Sequence, residues 1–159
     1  MTDEPKFLAD CMLGKLARWL VILGYDAAFA TGAETDDLKL LERAKAEGRI
    51  FLTRDTRIPE IQGLRKLVLP EPGFETQLKR VLRETGLKAD PARFFTRCTL
   101  CNAPLDEVAR EEVVSEIPEK VLELDTAFFR CPKCRRLYWS GSHVERTLCK
   151  LRKAGILEG

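Results

Sequence analysis

The sequence lacks any apolar run of the roughly 20 residues that a membrane-spanning helix requires. Its 159 residues also contain no internal repeat and no low-complexity segment. The first residues, MTDEPKFLAD, carry acids where a secretory signal peptide has positive charge and then a long apolar stretch. These absences predict a cytoplasmic protein with no membrane partner.

Histidine is also scarce, since His143 is the only one. It can cap a helix start together with Ser142, bind substrate or approach the acidic residues, and no catalytic role is assigned to it. Cysteine is more frequent, but the six cysteines are clustered rather than spread as in a disulfide scaffold. In a chain without an export signal, this clustering favours a metal site over disulfide bonds.

The composition, 45% hydrophobic and 33% charged, is that of a soluble globular protein with one real core. The net charge of +2 conceals strong segregation. Residues 127–159 contain eight Lys/Arg and two Glu, whereas residues 103–126 contain eight acids and two bases. A basic C-terminal part fits a partner that carries phosphates, although a solvated helix face gives the same count.

Strand and helix patterns alternate along the first ninety residues. The sequence predicts strands in KFLAD (6–10), YDAAFA (25–30), RIFLT (49–53) and KLVLP (66–70), and helices over residues 13–24, 37–47 and 74–85. Residues 31–37, TGAETDD, form a predicted loop into the second helix. This order predicts an α/β domain with a doubly wound, mostly parallel sheet and right-handed crossovers. Beyond Pro91 the alternation stops, so we divide the chain into domains 1–90 and 91–159.

Aspartates stand where the predicted strands end. Asp10 and Asp55 follow two strands, and the Asp36–Asp37 pair begins the helix that runs back antiparallel to the strand before it. All therefore belong to one edge of the sheet, where open α/β sheets bind their ligands. Asp37 is expected to lean toward the sheet, because it shares a helical face with Leu41.

Clustered carboxylates repel one another unless a cation joins them. Mg²⁺ suits a few carboxylates, retained waters and a substrate phosphate, which predicts hydrolysis of a phosphodiester. Each acid also has an ordinary interpretation: Asp36 caps a helix, Asp10 caps the helix from Met12, and Asp55 is a turn residue. The nearby cations either grip phosphate or form a solvated surface; they are Lys15, Arg18, Arg54 and Arg57.

Two CxxC pairs predict a structural zinc site. They are Cys98-x-x-Cys101 and Cys131-x-x-Cys134, and four thiolates close a tetrahedral site against water. Such a zinc stabilises folding and has no open position for catalysis. Cys11 is expected to be a small buried residue, and Cys149 receives no role. Tyr138 and Trp139 either form a stacking surface for single-stranded nucleic acid or pack the ribbon against the α/β domain.

Several long runs resemble the Mut-seven-C RNase family. They are FLADCMLGKLARWLVILGYD, DDLKLLERAKAEGRIFLTRD, RCTLCN and FRCPKCRRLYWSGSHVER, which together cover about residues 6–147. The family is described as a PIN-like nuclease domain followed by a zinc ribbon. The resemblance implies a three-layer α/β/α fold and metal-dependent cleavage of RNA.

By motif, the family's catalytic acids fall on Asp10, Asp36, Asp37 and Asp55, and its zinc ligands on the four paired cysteines. Two departures stand out. Val21 replaces a basic residue that the family usually carries, which thins the basic rim. A fourth acid of the kind found in many PIN nucleases is not evident, which leaves the number of metal ions open.

The leading hypothesis is a cytoplasmic ribonuclease that depends on Mg²⁺ or Mn²⁺ and acts on single-stranded RNA. Asp10, Asp37 and Asp55 would hold the metal with Asp36 assisting, and Lys15, Arg18 and Arg54 would bind phosphate. The first alternative is a non-catalytic RNA- or protein-binding module with a structural zinc ribbon. The second is a phosphatase or phosphotransferase that acts on small molecules.

Overall fold

Four short parallel strands form the sheet of the N-terminal part of the chain. The strands are β1 (Phe7–Ala9), β2 (Ala27–Phe29), β3 (Ile50–Thr53) and β4 (Lys66–Val68). Their spatial order is β2-β1-β3-β4, and every neighbouring pair is parallel. All residues of β1 and β3 are buried, as expected for central strands that are covered on both faces. The predicted α/β class with a parallel sheet is confirmed.

The structure is a computed structural model that describes residues 4–31 and 36–158. Residues 32–35 of the predicted loop TGAETDD lie outside the described residues. The chain divides into two compact units, Met1–Phe95 and Thr96–Gly159. Nowhere in the described ranges is a helix both long and apolar enough to cross a membrane.

Three helices accompany the first sheet. They are α1 (Gly14–Ile22), which follows a 3-10 turn over Cys11–Leu13, α2 (Asp37–Ala46) and α3 (Phe74–Thr85). Gly86 ends α3 in a left-handed conformation (φ 75°), which glycine adopts without steric cost. Trp19 of α1 stacks on Phe74 of α3, with ring centroids 4.9 Å apart.

Helix α2 covers one face of the sheet. Leu40, Leu41 and Ala44 pack with Leu8 of β1 and Phe51 of β3 in one buried cluster. Because successive strand side chains point to opposite faces of a sheet, Leu8 and Phe51 belong to the face that α2 covers. Helix α1 contacts β1 and β2 and also contacts α3.

The second unit contains an antiparallel sheet with the order β5-β6-β7. Its strands are β5 (Asp106–Val108), β6 (Phe128–Arg130) and β7 (Leu137–Trp139), and its helices are α4 (Arg110–Val113), α5 (Glu119–Leu122) and α6 (Ser142–Lys153). Phe128 is buried with Val113 and Ile117, and Trp139 packs against this cluster. Tyr138 packs against the cysteine cluster. Both aromatic side chains therefore have packing partners inside their own unit.

Candidate functional site

The fold of the first unit brings the predicted acids to one edge of the sheet. Asp10 follows β1 directly, and Asp55 comes two residues after the end of β3, its parallel neighbour. Helix α2 ends at Ala46 and β3 begins at Ile50. Because α2 packs on the sheet and delivers the chain to the start of β3, its first residues lie toward the carboxyl ends of the strands.

Asp10 is held by two hydrogen bonds. Its Oδ1 accepts the backbone N–H of Met12 at 3.0 Å, which caps the 3-10 turn. Its Oδ2 accepts the hydroxyl of Thr53 at 2.6 Å. Each oxygen keeps a further lone pair, because a carboxylate has about four acceptor sites. Asp10 is also buried, so its direction is fixed by its surroundings.

Thr53 connects the two strand-end acids. While its hydroxyl donates to Asp10, the same oxygen accepts the backbone N–H of Asp55 at 3.0 Å. Sequence reasoning did not single out Thr53. The available signal was a polar residue that closes the apolar run IFLT two positions before an aspartate.

Asp55 makes a local ion pair. Its Oδ1 accepts the backbone N–H of Arg57 at 2.9 Å and the Arg57 Nε at 3.2 Å. The backbone N–H and then the guanidinium of Arg57 lower the pKa of Asp55 below its usual value. Asp55 is therefore ionised at neutral pH, and the Arg57 guanidinium forms its ion pair with Asp55.

The two acids at the start of α2 are both exposed. Asp36 is the N-cap, and its Oδ1 accepts the N–H of Leu38 at 3.0 Å. Asp37 is the first helical residue and lies one turn before Leu41, where α2 meets the core. Asp36 thus has a structural role in the described structure, and its capping bond leaves the second carboxylate oxygen available.

These carboxylates do not form a compact metal cage by themselves. Across residues 4–31 and 36–158, the only His, Cys, Asp or Glu group with all ligand atoms within 4.8 Å of one another is the cysteine cluster described below. Within the described ranges, Asp10, Asp36 and Asp37 form no ion pair with a basic side chain. Oxygen donors with free lone pairs are what Mg²⁺ prefers. A catalytic metal at this edge stays a prediction.

The predicted phosphate-binding cations have different surroundings. Lys15 Nζ lies 4.8 Å from the centroid of the Phe74 ring, and Arg18 is exposed on α1. Arg54 Nη2 donates to the Pro70 carbonyl at 3.0 Å. Val21 is buried in α1 rather than exposed beside these cations, so this position does not thin an exposed rim.

The four paired cysteines meet in the second unit. Their sulfur atoms all lie within 4.8 Å of one another, so the predicted cluster is confirmed as a group that could hold a metal such as zinc. The two CxxC turns have the same backbone pattern. Asn102 N–H donates to the Cys98 carbonyl at 2.8 Å, and Arg135 N–H donates to the Cys131 carbonyl at 2.9 Å. Both donors have positive φ, 64° for Asn102 and 68° for Arg135.

A tyrosine hydroxyl supports the Cys98 sulfur. Tyr138 Oη lies 3.0 Å from Cys98 Sγ, which is buried, and the Cys101 N–H also donates to that sulfur. Burial raises the pKa of Cys98, but these hydrogen bonds outweigh it and lower the pKa to about 6. Burial and the neighbouring thiols raise the pKa of Cys101 to about 12. Four thiolates therefore do not form together without a cation to compensate their charge.

Cys11 and Cys149 are not members of this cluster. Cys149 is exposed on α6, as is Cys11 in its 3-10 turn. The prediction that Cys11 is buried is wrong, because the turn directs Leu13 into the core instead. His143 is exposed near the start of α6 and packs beside Gly141.

Comparison with known proteins identifies a matching family. A family model described as the Mut7-C RNAse domain matches residues 5–151 of the chain. No curated protein and no solved structure matches significantly. The match spans both units and includes the strand-end acids and the cysteine cluster.

Proposed function

The chain belongs to the Mut7-C RNAse domain family, and from this premise we propose that it is a metal-dependent ribonuclease. In this proposal residues 1–90 form a PIN-like nuclease domain with an α/β/α arrangement, and residues 91–159 form a zinc ribbon with a C-terminal helix. The proposed substrate is single-stranded RNA in the cytoplasm.

The observation that carries the proposal is the connection of Asp10, Thr53 and Asp55 at the carboxyl edge of the sheet. The network orients a buried carboxylate that forms no ion pair with another described residue, and each of its oxygens keeps a lone pair. A divalent metal held by these oxygens would at the same time attract a phosphate.

We assign the roles as follows. Asp10 and Asp55 would hold the metal, and Asp37, with Asp36 assisting, would hold it from the start of α2 or orient the attacking water. The chemistry that Mg²⁺ or Mn²⁺ would supply there is activation of a water as nucleophile and stabilisation of the leaving oxygen. Lys15, Arg18 and Arg54 bind the phosphate backbone on either side of the cleaved bond.

The zinc has a different task in this proposal. Four thiolates close its coordination sphere, so no position is open to substrate. The second unit has small buried clusters, and a zinc ion in the cysteine cluster would supply much of its stability. The ribbon would then extend the surface available to RNA.

The test is cleavage of single-stranded RNA by the purified protein with Mn²⁺, compared with the Asp10→Asn variant. We expect the wild type to cleave and the variant to lose cleavage while its melting temperature remains close to that of the wild type. Asp90→Asn is the matched control, because Asp90 also caps a 3-10 turn by accepting the N–H two residues on, at 3.0 Å. Equal activity of wild type and Asp10→Asn would overturn the assignment.

A second candidate function is a non-catalytic binding module. Two observations favour it: the carboxylates of the described residues form no compact metal group, and the last turn of α6 contains Lys150, Arg152 and Lys153. This candidate predicts RNA retention that weakens steeply with salt and no metal-dependent turnover. A panel of small phosphorylated substrates beside the RNA panel separates the nuclease from a phosphatase or phosphotransferase.

A further inference from the structure

Helix α6 carries a strongly charged surface of the second unit. Its twelve residues, SHVERTLCKLRK, contain four basic side chains and one acid, and all five are exposed. The basic residues are Arg146, Lys150, Arg152 and Lys153. Half of the eight Lys/Arg of residues 127–159 therefore lie on this one helix.

Three of these cations lie in one line along α6. Arg146, Lys150 and Lys153 follow one another at spacings of four and three residues, which places them on the same side of a helix. The opposite side contains Leu148, which is half-buried, and Leu151, which is 1% exposed. The three cations, which we call the basic stripe, therefore point away from the buried side of α6.

The basic stripe places like charges where a stable helix usually places opposite ones. Lys150 comes four residues after Arg146 and three before Lys153, and like charges at such spacings destabilise a helix. Glu145 is the only acid of α6, and a leucine and a cysteine stand three and four residues after it. The sequence of α6 thus provides no i,i+3 or i,i+4 ion pair that would relieve the repulsion.

Neither end of the basic stripe is neutralised by an acid of residues 4–31 or 36–158. Within these ranges Arg146 and Lys153 form no ion pair, and Arg146 donates one hydrogen bond to the Ser142 hydroxyl at 3.2 Å. Cations in a last turn complement the helix dipole, which accounts for Lys153 but not for Arg146 in the second turn. A negatively charged partner would offset the repulsion along the whole stripe.

The dimensions and surroundings of the stripe fit a chain of phosphates. From Arg146 to Lys153 the helix rises about 10.5 Å, the axial length of about three phosphates on one strand of a helical nucleic acid. A helix that binds a membrane surface inserts apolar side chains among the lipids. In α6 the side chain of Leu151 is buried instead, and the exposed side offers Ser142 and Cys149 besides the cations. Contact through charge alone is typical of a nucleic-acid backbone.

We propose that the basic stripe of α6 binds the phosphate backbone of RNA without regard to sequence, as a contact additional to the acidic edge of the first unit. The choice of RNA as the polyanion rests on the proposed ribonuclease function, whereas the arrangement of charges does not. The stripe takes no part in bond cleavage, so its loss raises KM and leaves kcat unchanged.

The experiment measures binding of a fluorescently labelled oligouridine to the full, zinc-loaded chain by anisotropy over a range of salt concentrations. No Mg²⁺ or Mn²⁺ is added, which limits cleavage. The variant Arg146→Gln/Lys150→Gln/Lys153→Gln removes the stripe, and glutamine has nearly the helix propensity of lysine and arginine. We expect the slope of log Kd against log salt concentration to fall by about 2, because each phosphate contact with a single strand contributes about 0.7. At about 0.1 M salt this corresponds to a rise in Kd of about 100-fold.

Arg152 provides the matched control for Lys153. Both are exposed in the last turn of α6, but they lie about 100° apart around the helix, and only Lys153 belongs to the stripe. Lys153→Gln is expected to raise Kd about 5-fold at about 0.1 M salt, whereas Arg152→Gln should stay within twofold of the wild type. Equal effects would show that only net charge or the helix dipole matters and would overturn the stripe. Thermal melting checks the folding of each variant.

Two exposed cysteines report where the RNA lies. Cys149 comes three residues after Arg146 and four before Lys153, so it borders the stripe, and Cys11 directly follows Asp10 in the first unit. Oligouridine bound to the stripe should slow the alkylation of Cys149, measured by mass spectrometry, and this protection should disappear in the triple variant. Protection of Cys11 would report separately on RNA at the acidic edge.

The outcomes separate this proposal from the ribonuclease proposal. Protection of Cys149 and a reduced salt slope in the triple variant support the stripe even if the wild type never cleaves RNA, in which case only the ribonuclease proposal fails. Cleavage by the wild type, with the same salt slope in the wild type and the triple variant, overturns the stripe alone. Equal protection of Cys149 by polyglutamate or by phosphatidylserine vesicles would show a general attraction of anions and overturn RNA as the partner.

Discussion

Asp10 accepts one hydrogen bond on each oxygen and forms no ion pair with another described residue. Thr53, which is 1% exposed, is the side chain that orients it from the neighbouring strand. The same hydroxyl fixes the backbone of Asp55. In the proposed site Thr53 is therefore a positioning residue, since it would act on the metal through the two acids.

Thr53→Val is expected to lower the free energy of unfolding by about 1–3 kcal/mol, because it removes the hydrogen-bond partner of the buried Asp10 Oδ2 and of the part-buried Asp55 N–H. Cleavage at saturating Mn²⁺ should fall as well, and the concentration of Mn²⁺ for half-maximal activity should rise. Urea unfolding and metal titration measure the two effects separately.

Thr53→Ser is the control, because it keeps the hydroxyl and removes only a methyl group. It should restore the Mn²⁺ dependence of the wild type even if some stability is lost. If Thr53→Val and Thr53→Ser require the same Mn²⁺ concentration, the hydroxyl has no role in positioning the acids.

At the residue scale, the sequence predicted the position of the acids at the strand ends but not their hydrogen-bond partners. Asp10 and Asp55 follow from apolar runs that end on aspartate, which a reader can recognise from one segment at a time. The Thr53–Asp10 bond joins residues 43 positions apart and depends on strand register, which no local pattern contains. Cys11 is exposed because it lies in a 3-10 turn. The apolar residues around that turn are the same as those expected around an α-helix, so the sequence does not distinguish the two.

The elements begin and end largely where capping chemistry places them. The predicted helix over residues 74–85 is found over Phe74–Thr85, and the helix predicted for 37–47 is α2, Asp37–Ala46. Gly24, Gly48 and Gly86 follow α1, α2 and α3 with positive φ, which is the usual glycine stop. Strand ends were less accurate, because a three-residue strand is shorter than the apolar run around it.

Substitutions of Asp36 test whether this helix-capping residue also contributes to RNA cleavage. Asp36→Ala is expected to lower the free energy of unfolding by about 1 kcal/mol, because the Leu38 N–H loses its acceptor. Asp36→Ser retains a cap and should retain stability, but it lacks a carboxylate. We therefore expect cleavage to fall in both variants, measured as kcat/KM on the same RNA. Full activity of the Ser variant would assign Asp36 to capping alone.

At the scale of the molecule, the two units differ in how much of their stability we expect to depend on a bound metal. The first has a buried core built from strands and helices, whereas the cysteine core of the second consists of Cys98, Ala103 and Cys131 with partly buried neighbours. The CxxC spacing predicted this cluster from the sequence, because two cysteines on one tight turn, repeated in a second turn, are typical of a structural zinc site. The pairing of β5 with β6 was not evident from the sequence, because the acidic helices α4 and α5 separate these two strands along the chain.

Removal of zinc should destabilise the second unit selectively, because a structural zinc contributes folding free energy directly. The two tryptophans report on the units separately: Trp19 stacks in the first, and Trp139 packs in the second. In Trp19→Phe protein, a zinc chelator is expected to shift the fluorescence melting of Trp139 to lower temperature. In Trp139→Phe protein, the transition of Trp19 should remain in place. Equal shifts of both reporters would contradict a zinc site that serves the second unit alone.

The central claim is that the acids at the edge of the first sheet hold a catalytic metal. Its most direct test is the crystal structure of the protein soaked in millimolar Mn²⁺, with anomalous diffraction recorded for manganese. The account predicts an anomalous peak between Asp10 and Asp55, with carboxylate oxygens roughly 2.1 Å away, as for Mg²⁺. A protein whose cysteine cluster is metal-loaded but which shows no peak at these aspartates would contradict it and would favour the binding module.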